Sequence, residues 1–307
     1  MTIRIALVGF GKIARDEHLP AILADGRYRL AAIATRSGDP GLDVPCFAGI
    51  GDMIAAMPGA LDAVALCTPT DAHFDLARVA IEAGLAVLLE KPPTPTLGEI
   101  AMLEAMARAR GVPFYAAWHS QHAAGVDKAA RALAGEEIAA LDIVWREDVR
   151  RFHPGQSWIW QAGGFGVFDA GINGLSIASR IMPCPLLVRR ARLLVPANCQ
   201  TPIAAGIEFA GENLRAWFDW RATGSQEWSI TVSTRAGSTV ELAAGGARLL
   251  IDGAEQQVGE HGEYAAIYRR FAAIAQQRLV EVDAEPLRIS ADAFLCGERE
   301  TVEPFVE

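Results

Sequence analysis

Gly9-Phe10-Gly11-Lys12-Ile13-Ala14 is the first stretch whose residue types and spacing could do chemistry, and that chemistry is the holding of a diphosphate. It matches the pattern G-x-G-x-x-G/A and directly follows the apolar run Ile5-Ala6-Leu7-Val8. Gly9 permits a tight turn, Gly11 lets a pyrophosphate approach the backbone, and Ala14 lets helix and strand pack closely. A helix opening at Lys12 and Ile13 presents unpaired N–H groups and a positive dipole end to the phosphates. A dinucleotide is the expected ligand.

The next segments bear on which dinucleotide. In an NAD site the second strand ends in a carboxylate that holds the ribose 2′-hydroxyl. Here it ends in Thr35-Arg36-Ser37, with no acid before Asp39. The Arg36 guanidinium, with Ser37 beside it, suits a 2′-phosphate by charge and fork geometry. NADP is the preferred cofactor on this reading, with NAD tolerated because nothing nearby repels it. A plainer role for Arg36, stacking on the adenine or facing solvent, stays open. Thr68-Pro69 follows a strand ending at Cys67, where loops of a parallel sheet face the ligand, and would line the nicotinamide-ribose side. Thr-Pro also serves simply as a helix cap.

Other chemistries find little support. His119-Ser120-Gln121-His122 has the look of a metal pair, yet no third ligand follows nearby, so no metal is expected. The five cysteines are widely spaced and form no CxxC, which reads as free thiols in a reducing cytosol. A formal net charge of −9 argues against nucleic acid and anionic membrane surfaces. The opening residues run straight into a strand pattern without signal-peptide architecture, and no apolar run reaches membrane-span length. A cytoplasmic protein is expected.

These candidate groups need a frame to position them. Short apolar runs at residues 3–8, 28–34, 63–67, 86–89 and 114–116 alternate with helical patterns at 72–83 and 97–110. That rhythm predicts an α/β Rossmann domain with a parallel sheet over residues 1–120. From residue 138 the texture changes to alternating, β-branched segments at 138–149, 186–196, 203–209, 213–220, 227–234 and 238–243. Gly211-Glu212-Asn213 and Ala236-Gly237-Ser238 sit between them as hairpin turns would. An α+β domain with an open, mostly antiparallel sheet is predicted over residues 121–307, with helices near 167–180, 264–278 and 290–302. One C-terminal helix has the option of packing back on the first domain. The second sheet leaves room for a homodimer.

Glu90-Lys91-Pro92, the Thr68-Pro69 loop with His73, and Asp169-Ala170-Gly171-Ile172-Asn173 join the glycine fingerprint in an order and spacing that resemble the Gfo/Idh/MocA oxidoreductase family. The resemblance spans essentially the whole chain. It implies a Rossmann domain followed by a substrate domain, with Glu90 and Lys91 at the cofactor and Lys91 beside the nicotinamide and the reacting carbon. The family usually carries histidine four residues after the aspartate, often as the base; here Asn173 stands there, and an amide cannot take a proton near neutral pH. Asp169 and Asn173 share one face of a predicted helix. Lys91 and Asp169 are then the candidate bases, with Asn173 beside them.

Asn173, together with His119, Glu147 and His153, is similar to a bacterial subgroup acting as L-arabinose/D-galactose 1-dehydrogenases. The implied partner is a small-molecule sugar, its hydroxyls read by Lys91, His119, Glu147, His153, Asp169 and Asn173. Trp145, Trp158 or Trp160 would supply an apolar surface for its C–H face. Without the resemblance, Glu147 and His153 read equally as exposed sheet residues. Trp217, Trp220 and Trp228 read as sheet packing or an interface rather than ligand contacts, and His18 as helix packing rather than a crevice-rim residue. Two alternatives remain: a dinucleotide-sensing regulator without turnover, which would not need Lys91, and a family dehydrogenase acting on another polyol.

Overall fold

The computed structural model describes residues 2–259 and 262–306. The chain forms two compact units, one of residues up to His119 plus Tyr264–Ala284, the other of Ser120–Glu263 plus the remainder from Glu285.

The first unit holds a seven-stranded sheet in the order Val280–Val282, Phe114–Ala116, Ala86–Leu89, Ala63–Leu66, Ile3–Val8, Tyr28–Ala34, Cys46–Phe47. Every neighbouring pair is parallel. Ala63–Leu66 and Ala86–Leu89 are buried at all four positions, as continuous apolar runs in a doubly covered sheet require. The helix expected over residues 264–278 spans Glu263–Gln277, and from Tyr264 onward it belongs to the first unit, the option left open for a C-terminal helix. Its Tyr264, Ile267, Tyr268, Phe271 and Ile274 join Ile5, Leu7 and Ile33 in one buried cluster. That i, i+3, i+4, i+7 stripe has an apolar sheet to cover, each large side chain contributing about 1.5–3 kcal/mol.

The helix that opens after the fingerprint contains a π turn at Ala14–His18, where the Leu19 N–H bonds Ala14 O five residues back. Pro20 follows at once, lacking an N–H and demanding room at the preceding turn. The widened turn provides that room and points His18 into the core, where it is 1% exposed.

The second unit carries a nine-stranded mixed sheet, with Ile138–Arg146 and Leu214–Asp219 as its parallel central pair. Ala204–Phe209 and Leu214–Asp219 are antiparallel, as are Glu227–Thr234 and Thr239–Ala243. Left-handed Gly211, Asn213 and Gly237 make the two connections, where the sequence placed its hairpin turns. The helix Phe168–Ile181 lies against this sheet at unusually close range. A Cβ at Gly171 would come within 2.5 Å of the Phe218 ring, and one at Gly174 within 2.9 Å of Trp145.

One expected helix is corrected. Residues 290–302 divide into the end of a helix, Glu285–Cys296, and an edge strand, Gly297–Val302, parallel to Val188–Pro196. Gly297 passes close to Ala293 O and Leu193, which no side chain at that position would allow. The Glu298-Arg299-Glu300 run then suits a charged edge, and Glu300 accepts a bond from Arg192 Nε at 2.8 Å.

Candidate active site

The glycine fingerprint forms a turn whose two glycines do different work. Gly9 has φ +85°, and a Cβ there would meet Thr68 Cγ2 at 2.8 Å and Cys67 O at 2.9 Å. This backbone contact seats the Thr68 loop against the strand-to-helix turn. Gly11 faces open space, so a Cβ would project into the volume that a pyrophosphate needs. Thr68 Oγ1 is buried with no hydrogen-bond partner among the described residues. These features fit a dinucleotide diphosphate on Gly9, Gly11 and the N–H groups opening the helix at Lys12 and Ile13. The Lys12 side chain itself pairs with Asp16 along the exposed helix surface. Arg36 and Ser37 are exposed, and Arg36 makes no hydrogen bond or ion pair with the described residues. Thr35 beneath them is buried and accepts the Ser37 N–H at 3.2 Å.

Behind the loop bearing Lys91 stands a closed polar network. Glu90 Oε1 accepts from Tyr264 Oη at 2.9 Å and faces His18 Nε2 at 3.0 Å; Oε2 accepts the Lys91 backbone N–H at 3.0 Å. The other ring nitrogen of His18 meets Tyr268 Oη at 2.8 Å, and Tyr28 donates to Tyr268 O. Burial opposes charge on His18, but Cys67 and Glu90 outweigh it and raise its pKa to about 10. Burial likewise opposes charge on Glu90, but His18 first, then His119 and Tyr264, hold it at about 2. His119 lies in this unit, its ring stacked on Tyr264 at 5.9 Å. His73 stitches the two loops together. Its Nε2 reaches Thr68 O at 2.8 Å, and its Nδ1 lies 3.1 and 3.2 Å from the carbonyls of Pro92 and Pro93. Lys91-Pro92 is a cis peptide.

In the second unit the structure brings Glu147, His153 and Asp169 together. His153 Nε2 lies 3.7 Å from Glu147 Oε1, and its Nδ1 3.8 Å from Asp169 Oδ2. Glu147 is only 4% exposed, not a solvent-facing sheet residue, and both its oxygens are held by indoles. Trp220 Nε1 donates to Oε1 at 3.3 Å and Trp228 Nε1 to Oε2 at 2.8 Å. Asp169 sits in the first turn of Phe168–Ile181, with half-buried Asn173 one turn on. Trp145 is buried against Trp228, whereas Trp158 and Trp160 are half-buried.

The GFO_IDH_MocA oxidoreductase family, with its NAD-binding Rossmann fold, matches residues 3–117. The chain is also 44% identical over 310 residues to the galactose 1-dehydrogenase of Pseudomonas fluorescens, spanning 99% of each protein. The chain belongs to the Gfo/Idh/MocA oxidoreductase family.

Other relatives and solved structures resemble this Gfo/Idh/MocA chain to different extents. The crystal structure of a D-galactose-1-dehydrogenase from Rhizobium etli superposes with a TM-score of 0.94 at 45% identity, covering 99% of this chain and 98% of that one. An inositol 2-dehydrogenase of Rhizobium meliloti is 36% identical over 100 residues, 30% of this chain and 28% of its own length. A 3-ketoreductase from Actinomadura kijaniata, solved with NADP, shares the fold at 19% identity, with a TM-score of 0.82 over 98% of this chain and all of that one. Sequence reasoning missed the residues that hold the chemical groups in place: Tyr264 and Tyr268 on Glu90 and His18, Trp220 and Trp228 on Glu147. They lie 73 to 250 positions away from their partners, and nothing local signals them.

Proposed function

We propose that this oxidoreductase is an aldose 1-dehydrogenase that converts D-galactose and L-arabinose to their aldonolactones, using NADP in preference to NAD. The observation that carries the reading is the clustering of Glu147, His153 and Asp169 in a chain similar throughout its length to two galactose 1-dehydrogenases. A sugar offers several hydroxyls at fixed angles, and closely set carboxylates with an imidazole match that demand. His119 and Asn173 are assigned further hydroxyl contacts, and Trp158 and Trp160 the apolar face. Trp145, being buried, is not.

When bound, the nicotinamide supplies the hydride acceptor. As C1 gives up its hydrogen with the bonding pair, the O1–H proton passes to the Asp169 carboxylate, C1=O forms, and the ring leaves as a lactone. Asn173 keeps the helix face polar without competing for that proton. Lys91 is assigned to stabilise charge growing on O1, and it is the base if Asp169 only orients the sugar. Glu90, engaged through both oxygens, is assigned to the cofactor through the Lys91 backbone that it holds. Arg36 supports the NADP preference by its unengaged guanidinium.

No helix among the described residues is long and apolar enough to cross a membrane, and the reading takes the enzyme as cytoplasmic. A homodimer would pair through the second sheet around half-buried Trp217, beside the Arg215–Asp142 ion pair. The test of the activity is absorbance at 340 nm after adding D-galactose to protein and NADP. Sugar-dependent growth is expected. A flat trace with both cofactors and both sugars would favour a dinucleotide sensor or a different polyol.

A further inference from the structure

The segment from Val149 to Gln161 carries His153 and has little regular structure of its own: a four-residue helix, Val149–Phe152, and a single turn, Ser157–Trp160. Its outer side is covered by residues near the end of the sequence. The Phe305 ring packs on Trp160 with centroids 4.9 Å apart, and the Arg150 guanidinium lies over the same Phe305 ring at 4.8 Å. Arg150 also donates to Val306 O at 2.8 Å. Asn198 clamps Phe305 from both sides of its backbone, accepting its N–H at 2.9 Å and donating to its carbonyl at 2.8 Å. Gln200 fixes the far end of the segment through its N–H to Trp160 O and its side chain to the Ala162 N–H.

These contacts continue inward. Trp160 meets Trp220 edge to face at 5.4 Å, Trp220 lies 5.0 Å from the His153 ring, and the same indole donates to Glu147. Two indoles thus connect Phe305 to the residues assigned to the sugar.

We propose that residues 303–306 form a strap, in which Phe305, clamped by Asn198 and capped by Arg150, is a positioning residue that sets His153 and Glu147 for substrate. The consequence for the sugar rests on the aldose reading given above; the mechanical part does not. His153 stands 3.7–3.8 Å from both carboxylates, so small displacements of its segment change which hydroxyls can bridge the gaps. Cofactor residues lie in the other unit, so a loosened strap should be felt by sugar and not by NADP.

The test compares the full chain with Phe305→Ala and Phe305→Trp by hydrogen exchange and steady-state kinetics. Losing one aromatic pair and one cation–π contact should speed exchange of amides in residues 149–161 by about tenfold and raise the sugar KM by a similar factor. kcat and the NADP KM should stay within about twofold, and Phe305→Trp should restore both readouts. Unchanged exchange in 149–161 would overturn the strap. Faster exchange with an unchanged sugar KM, or a parallel loss of kcat and NADP affinity, would overturn the positioning role. If wild type oxidises no sugar, the aldose reading fails while exchange still decides the strap. Should Phe305→Ala not fold, Arg150→Ala is read by the same criteria.

Discussion

Glu90 in the first unit and Glu147 and Asp169 in the second are almost equally buried, at 6%, 4% and 6% exposure, yet their imidazole neighbours stand at different distances. Glu90 is surrounded by partners at 2.9–3.0 Å, namely a tyrosine hydroxyl, an imidazole and its neighbour's N–H. Its charge is settled and its geometry closed. Around His153 in the second unit the spacings to the carboxylates are 3.7 and 3.8 Å, too long for direct hydrogen bonds. The Glu90 contacts fix a loop, whereas the His153 ring is held at ion-pair spacing from its two carboxylates and lies 3.4 Å from Gln156 Oε1. Burial does not tell these carboxylates apart. What differs is the spacing to the neighbouring imidazole, 3.0 Å for Glu90 against 3.7 and 3.8 Å for Glu147 and Asp169.

The sharpest way to break this comparison is to neutralise one carboxylate of the His153 cluster. Asp169→Asn keeps shape and removes the proton acceptor, so kcat on D-galactose should fall by about 10²–10⁴-fold with NADP affinity near wild type. Retention of most of the rate would make Asp169 an orienting group and leave Lys91 as the base. Cofactor selectivity should show a smaller effect. Arg36→Ala should weaken NADP by roughly 10- to 100-fold, the worth of a charge-assisted contact, while NAD changes little. Equal losses for both cofactors would show that Arg36 does not read the 2′-phosphate.

The closed network should respond to pH rather than to substrate. Glu90, held at about 2 against an ordinary 4.5, contributes stability that is present above pH 4.5 and lost as pH falls toward 2. His18, raised from 6.5 to about 10, contributes stability that is present below pH 6.5 and lost as pH rises through 10. Tm should therefore be highest between these limits, and Glu90→Gln should lower that maximum and flatten both flanks. Thermal melts from acid to alkaline pH check this, and an unchanged profile in the variant would remove the pair from the stability account.

What the sequence made legible follows physical range. The fingerprint, the strand-to-helix turn and the shared face of Asp169 and Asn173 depend on neighbours within a few residues, and period and residue type declare them. Gly9 was readable as a turn glycine, but its contact with Thr68 joins two strands and was not. The helix Glu263–Gln277 has the same amphipathic stripe whichever sheet it covers, so its return to the first unit could not be read from the stripe. Trp220 and Trp228 looked like sheet packing because an indole N–H gives no sign in sequence of the carboxylate it will meet. The final strand was hidden by a charged run that reads as a helix surface as readily as a sheet edge.

The central claim is that the second unit reads the configuration shared by D-galactose and L-arabinose at C2, C3 and C4. D-glucose differs from D-galactose at C4, placing an equatorial hydroxyl where an axial one is expected and leaving buried polar groups unpaired. Steady-state kinetics with the three sugars and saturating NADP test this most directly. kcat/KM for D-galactose and L-arabinose should exceed that for D-glucose by at least about tenfold, which needs only roughly 1.4 kcal/mol. Equal or higher kcat/KM with D-glucose would contradict it.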